Sequence, residues 1–90
     1  MLSSGFDAGH LDWGNVRNDE GIVHHGINLS TADYKYLTQR LVEVATLTSN
    51  GRVVSVLEGG YGTMCKGSAT LNRDNLAKNV ISHIDALVGR

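Results

Sequence analysis

Apolar residues recur along this chain with two different spacings, and the spacing decides which element each stretch predicts. Residues 2–4 read as the closing residues of a strand. Residues 5–29 show little periodicity and carry five glycines, three aspartates and three histidines, so they read as loop. Ser30, Thr31, Ala32 and Asp33 then have the spacing of a capping box, with Asp33 in place of the usual glutamate. Tyr34, Leu37, Leu41, Val44 and Ala45 follow at steps of three and four, which is one face of a helix. Asn50 and Gly51 tolerate the left-handed backbone that ends a helix, and they predict its stop. Residues 53–57 are a β-branched and apolar run broken only by Ser55, the pattern of a strand covered on both faces. A glycine-containing loop is expected over residues 58–73. A last helix is expected over residues 74–88, with Leu76, Val80, Ile84 and Leu87 on one face and Ala77, Ile81 and Val88 beside it.

The order is strand, loop, helix, strand, loop, helix. Parallel strands joined by a helix cross over with one hand, so both post-strand loops fall on the same edge of the sheet. Each strand ends in glycine followed by a chemically able residue: Asp7 after the first, Tyr61 after the second. The pattern therefore predicts that Asp7 and Tyr61 meet at one carboxyl edge. A strand like residues 53–57 also demands helices above and below and neighbours on both sides. Residues 1–90 are accordingly expected to be one unit, without internal repeat or linker, and part of a larger α/β domain.

Composition narrows the partners. The chain has 90 residues, is 41% hydrophobic and contains no proline, which suits a globular unit rather than a disordered one. A net charge of −1 offers no bulk attraction to nucleic acid or to an acidic membrane, so neither is expected as a partner. The single cysteine, Cys65, excludes an internal disulfide. No apolar run approaches the roughly 18 residues of a membrane span, and residues 1–4 do not read as a signal peptide. A cytoplasmic or nuclear rather than secreted protein is the expectation.

Several strings invite other chemistries. Asp7, His10 and Asp12 have the spacing of a one-loop metal cluster, a pattern that polar loops also produce by chance. His24 and His25 form a pair, but one placed just before a helix cap, where surface histidines are common. His83 sits within the last helix and reads as structural. Gly59, Gly60 and Gly62 follow a strand as phosphate loops do, yet Cys65 stands where the next glycine is required and the next helix begins too far on. Cys65 has no base partner identifiable in sequence. By themselves, Asp7 reads as a turn or cap residue and Tyr61 as a loop anchor.

Two strings together carry a resemblance. Ser4-Gly-Phe-Asp-Ala8, with Asp12 five residues beyond Asp7, and Gly51-Arg-Val-Val-Ser-Val-Leu-Glu-Gly-Gly-Tyr61 occur in the order and spacing found in the zinc-dependent deacetylases. That family includes the histone deacetylases and the acetylpolyamine amidohydrolases, and the Leu-Glu-Gly-Gly-Tyr form resembles its class II-like branch. Residues 28–37 resemble the helix between the two strings, and residues 76–87 the terminal helix. The resemblance implies a C-terminal βαβα piece of a three-layer arginase/deacetylase-like parallel-sheet domain.

It also implies roles. Asp7 matches a zinc ligand, Tyr61 the residue whose hydroxyl steadies the oxyanion, and Gly59 and Gly60 the backbone lining the acyl-lysine passage. The implied substrate is an acetylated lysine or polyamine, and the implied cofactor is Zn²⁺. The family's Asp-x-His zinc pair and its two general acid–base histidines have no counterpart in these 90 residues. The chain alone is thus expected to be inactive and to hold no zinc by itself, with the missing N-terminal part or a homologous subunit as its partner. The loop over residues 9–29 and the stretch 62–73 are longer than usual in the family, and Trp13 stands where proline is common. The rival expectation is a non-catalytic fragment or binding module that pairs its sheet edges with a partner.

Overall fold

Ser30 starts the longer helix as its spacing predicts. The structure, a computed structural model, describes residues 1–14, 17–19, 22–24, 27–64 and 71–89. Strand β1 (Leu2–Gly5) is followed by a short hairpin of β2 (Arg17–Asp19) and β3 (Ile22–His24). Helix α1 (Thr31–Ser49) leads to β4 (Ser55–Glu58), a second hairpin of β5 (Thr63–Met64) and β6 (Leu71–Asn72), and helix α2 (Asp74–Leu87). At the start of α1 the Ser30 hydroxyl accepts from the Asp33 N–H while the Asp33 carboxylate accepts from the Ser30 N–H at 2.8 Å. These bonds to Ser30 hold the Asp33 carboxyl below its usual range. Asn50 ends the helix in the left-handed conformation, φ 56°.

Strands β1 and β4 are parallel neighbours, in register from Leu2 opposite Ser55 to Gly5 opposite Glu58. α1 is the crossover between them, and α1 packs on α2. The architecture is therefore α/β, with a two-stranded parallel sheet and two helices. The three-layer arrangement implied by the resemblance has more layers and strands than the described residues contain.

Three expectations need correction. Both hairpins lie in stretches read as loop, because two- and three-residue strands are too short to show alternation. The second strand covers Ser55–Glu58 and not residues 53–57, since its pairing with β1 sets its limits. Its apolar residues are not covered on both faces: Val56 and Leu57 are exposed. The apolar helix faces are likewise half open. α1 buries Tyr34 and Thr38 but exposes Leu37, Leu41 and Val44, and α2 buries Asn79, His83 and Ala86 but exposes Ile81 and Ile84. The Cα radius of gyration, 14.8 Å, exceeds the roughly 12 Å of a compact domain of this length.

What is buried is small and partly polar. Phe6 is 2% exposed and lies between Tyr34, with ring centroids 5.0 Å apart, and His83, edge-on at 5.3 Å. Asn79, Thr38 and His83 enter this core because each finds a hydrogen-bond partner, which an apolar stripe does not reveal. The Thr31 hydroxyl donates to Asn79 Oδ1 at 2.7 Å, tying the start of α1 to α2. The Thr38 hydroxyl donates to the Tyr34 carbonyl at 2.8 Å, so it accepts from His83 Nδ1 at 2.7 Å. His83 Nε2 is then left as acceptor for the Ser55 hydroxyl at 2.9 Å, and Ser55 in turn accepts from Ser4 at 2.8 Å. The chain Ser4–Ser55–His83–Thr38 joins both strands to both helices. It bears out a structural role for His83.

Burial pushes the pKa of His83 down. Below about pH 6.5 the unfolded chain takes up a proton that the folded chain resists. The stability contributed by neutral His83 is full above that pH and is lost as pH falls toward the lowered folded value. The urea midpoint is expected to drop between about pH 7.5 and pH 5, and the slope to flatten in His83→Gln. An equal slope in the variant would assign the dependence to other groups.

Candidate active site

The two strands end level because Gly5 is opposite Glu58. Their continuations leave the sheet side by side, and the Phe6 N–H donates to the Gly59 carbonyl at 3.3 Å. Asp7 therefore emerges beside the turn that carries Tyr61. Its carboxylate lies over Gly59, where a Cβ would sit 3.1–3.2 Å from the carboxylate atoms. Gly14 comes back between the two residues. A Cβ on Gly14 would stand 2.8 Å from Asp7 Cβ and 2.7–2.8 Å from the Tyr61 ring. Asp7 and Tyr61 thus converge around one glycine, and any side chain there would force them apart. Asp7 is half-buried, and Tyr61 is 46% exposed.

Gly59 and Gly60 have two physical reasons for lacking side chains. Both have positive φ, 65° and 109°, which side chains rarely adopt. A Cβ on Gly60 would also press within 2.8 Å of Leu76 Cδ1 and 3.0 Å of Phe6 Cβ. The turn is consequently packed down on the core, and Tyr61 rides on a short, constrained support.

Asp12 holds that support from the other side. It is only 4% exposed, and its carboxylate accepts from three backbone amides: Gly14 at 2.9 Å, Tyr61 at 3.0 Å and Gly62 at 2.9 Å. The Trp13 N–H donates to the Gly62 carbonyl at 2.7 Å, and Asp12 forms a bridge with Thr63. The Tyr34 hydroxyl is buried near Ala8 and Gly9 and makes no hydrogen bond to the described residues. Burial above all, with the negative charges of Asp7 and Asp12, pushes the Tyr34 pKa up to about 12. Tyr34 stays neutral and serves as a wall of the Asp7 loop.

The other strings do not join this site. His10 Nδ1 pairs with Asn28 Oδ1, and the Asp12 carboxylate is taken up by amides, so Asp7, His10 and Asp12 do not assemble around a common point. Among the described residues no three His, Cys, Asp or Glu side chains are placed to hold a metal ion. His25 and Cys65 lie outside the described residues, and His24 is described by backbone alone. No helix of the described residues is long and apolar enough to cross a membrane.

The strand ends, the double-glycine turn and the facing Asp and Tyr agree with the resemblance in the two strings. Comparison with known proteins decides the family: residues 1–73 match the histone deacetylase domain. This chain belongs to the histone deacetylase family. It is 36% identical over 88 residues to Type-2 histone deacetylase 2 of Dictyostelium discoideum, a match covering 98% of this chain and 4% of that protein. It is 29% identical over 69 residues to Histone deacetylase HOS3 of Saccharomyces cerevisiae, covering 74% of this chain and 9% of that protein. The matched residues thus span less than a tenth of the length of either relative. Within this deacetylase segment, Asp12 and Gly14 are the residues whose work was not legible beforehand. The signal for Asp12 was present, a carboxylate within a glycine-rich loop, but its amide partners are 49 and 50 positions away.

Proposed function

We propose that these residues form the C-terminal part of a zinc-dependent deacetylase domain that hydrolyses the acetyl amide of acetyl-lysine or of an acetylated polyamine in the cytoplasm or nucleus. The observation that carries this reading is the convergence of Asp7 and Tyr61 around Gly14 at the carboxyl edge of a parallel strand pair. A catalytic zinc takes three protein ligands and keeps one position open. Asp7 suits one of the three, as an oxygen donor at the strand edge beside Tyr61. When bound, zinc supplies Lewis acidity and an activated water. Tyr61 donates its hydroxyl proton in a hydrogen bond to the oxygen of the scissile amide as negative charge develops there. The backbone of Gly59 and Gly60 lines the passage for the acyl group, where a side chain would obstruct it.

Exposed Val56, Leu57, Leu41 and Val44 are the surfaces that the rest of a three-layer domain would cover. The same exposure favours a second reading, a non-catalytic module that pairs its sheet edges with a homologous subunit. A chimaera separates the two. Residues 1–90 replace the matched segment of the Dictyostelium relative, and zinc content and acetyl-peptide hydrolysis are measured. The deacetylase reading expects bound zinc and turnover in the chimaera, and neither in the 90-residue chain alone. A folded, zinc-loaded chimaera that does not turn over would sink it in favour of the second.

A further inference from the structure

We propose that Asp12 is a positioning residue for Tyr61, acting through the backbone rather than on the substrate. The proposal rests on the oxyanion role given to Tyr61 above and names what fixes that hydroxyl in place. An aspartate buried to 4% exposure must have its charge answered, and no cation is paired with Asp12 among the described residues. Three amides answer it instead, and two belong to Tyr61 and Gly62. Those two follow the positive-φ Gly59–Gly60 turn, where the backbone has left the β1–β4 pairing, and their N–H groups go to the Asp12 carboxylate. The third, Gly14, is the residue on which both Asp7 and the Tyr61 ring rest.

One carboxylate thereby sets the distance between the Asp7 loop and the Tyr61 turn. Amide bonds to an ionised acceptor are the stronger kind, and their loss is felt even though no reacting atom is touched. A tyrosine that must meet a developing charge within hydrogen-bond reach tolerates little displacement of its backbone. Asp12 is the residue that prevents it. Asparagine cannot substitute fully, because its amide group presents N–H to an N–H.

The test has two arms. In the full 90-residue chain, hydrogen exchange at the Tyr61 and Gly62 amides is compared between wild type, Asp12→Asn and Asp12→Ala. Exchange about ten- to a hundredfold faster in Asp12→Ala is expected, with Asp12→Asn between. In the chimaeric deacetylase, Asp12→Ala is expected to lower kcat about ten- to a hundredfold. KM and zinc content should stay within about twofold. Added to Tyr61→Phe, the same change should cost almost nothing further, since its effect passes through the lost hydroxyl. Unchanged exchange at both amides overturns the proposal, as does full additivity with Tyr61→Phe. If Asp12→Ala prevents folding, Asp12→Asn decides by the same additivity criterion. A Tyr61→Phe variant that keeps full kcat defeats the oxyanion reading instead, and amide exchange still reads the Asp12 contacts by itself.

Discussion

Replacing Tyr61 by phenylalanine in the chimaeric deacetylase is expected to lower kcat by about 10²–10³, the usual cost of removing one oxyanion donor. KM should change little, because the hydroxyl bonds mainly to charge that appears in the transition state. Zinc content should be normal, since the phenol is not a ligand. Asp7→Ala is expected to differ in kind. It removes a donor from the metal site, so zinc is lost on dialysis and activity falls with it. The ring of Tyr61 and the Cβ of Asp7 both remain against Gly14 in these variants, so neither result is a trivial collapse of the edge. Metal content by atomic absorption beside steady-state kinetics distinguishes the two roles. Near-full kcat in Tyr61→Phe would return Tyr61 to a loop anchor, and normal zinc in Asp7→Ala would remove Asp7 from the ligand set.

Phe6→Ala is expected to abolish cooperative folding of the 90-residue chain. Truncating a buried phenylalanine costs about 3–5 kcal/mol. A unit of this size has roughly 5–13 kcal/mol to lose even when its core is closed, and here much of the apolar surface is open. Phe6 is the ring on which Tyr34 and His83 both rest, and Gly60 packs on its Cβ. Its loss therefore loosens both helices and the turn that carries Tyr61. Leu47→Ala is the control. That side chain is 86% exposed, and the change should stay within about 0.5 kcal/mol. Thermal and urea unfolding followed by circular dichroism checks both, and a Phe6→Ala chain that melts as sharply as wild type would contradict the placement of the core.

The two effects are linked through the same turn. Gly60 needs Phe6 beneath it, and Tyr61 needs Gly60 in its positive-φ conformation. Packing in the core and geometry at the edge are consequently one problem. A destabilising change at Phe6 should lower activity in the chimaera through kcat as well as through the amount folded.

Local chemistry made a good part of this legible in the sequence. The capping box at Ser30 and the left-handed stop at Asn50 depend on neighbouring residues only, so α1 could be bounded from its own spacing. The glycine endings of both strands, with the one-handed rule for crossovers, sufficed to bring Asp7 and Tyr61 to one edge. The two motif strings sufficed for the family, which residues 1–73 bear out. Tertiary structure decided the rest. It chose Asn79, His83 and Thr38 for the interior over Ile81, Ile84 and Leu41, because hydrogen bonds across elements offset the burial of polar groups and no periodicity records them. It shortened the second strand to the span that β1 can pair. It also placed the Asp12 carboxylate on amides some fifty positions away. A contact of that kind depends on where two loops meet after folding, and neither loop carries it alone.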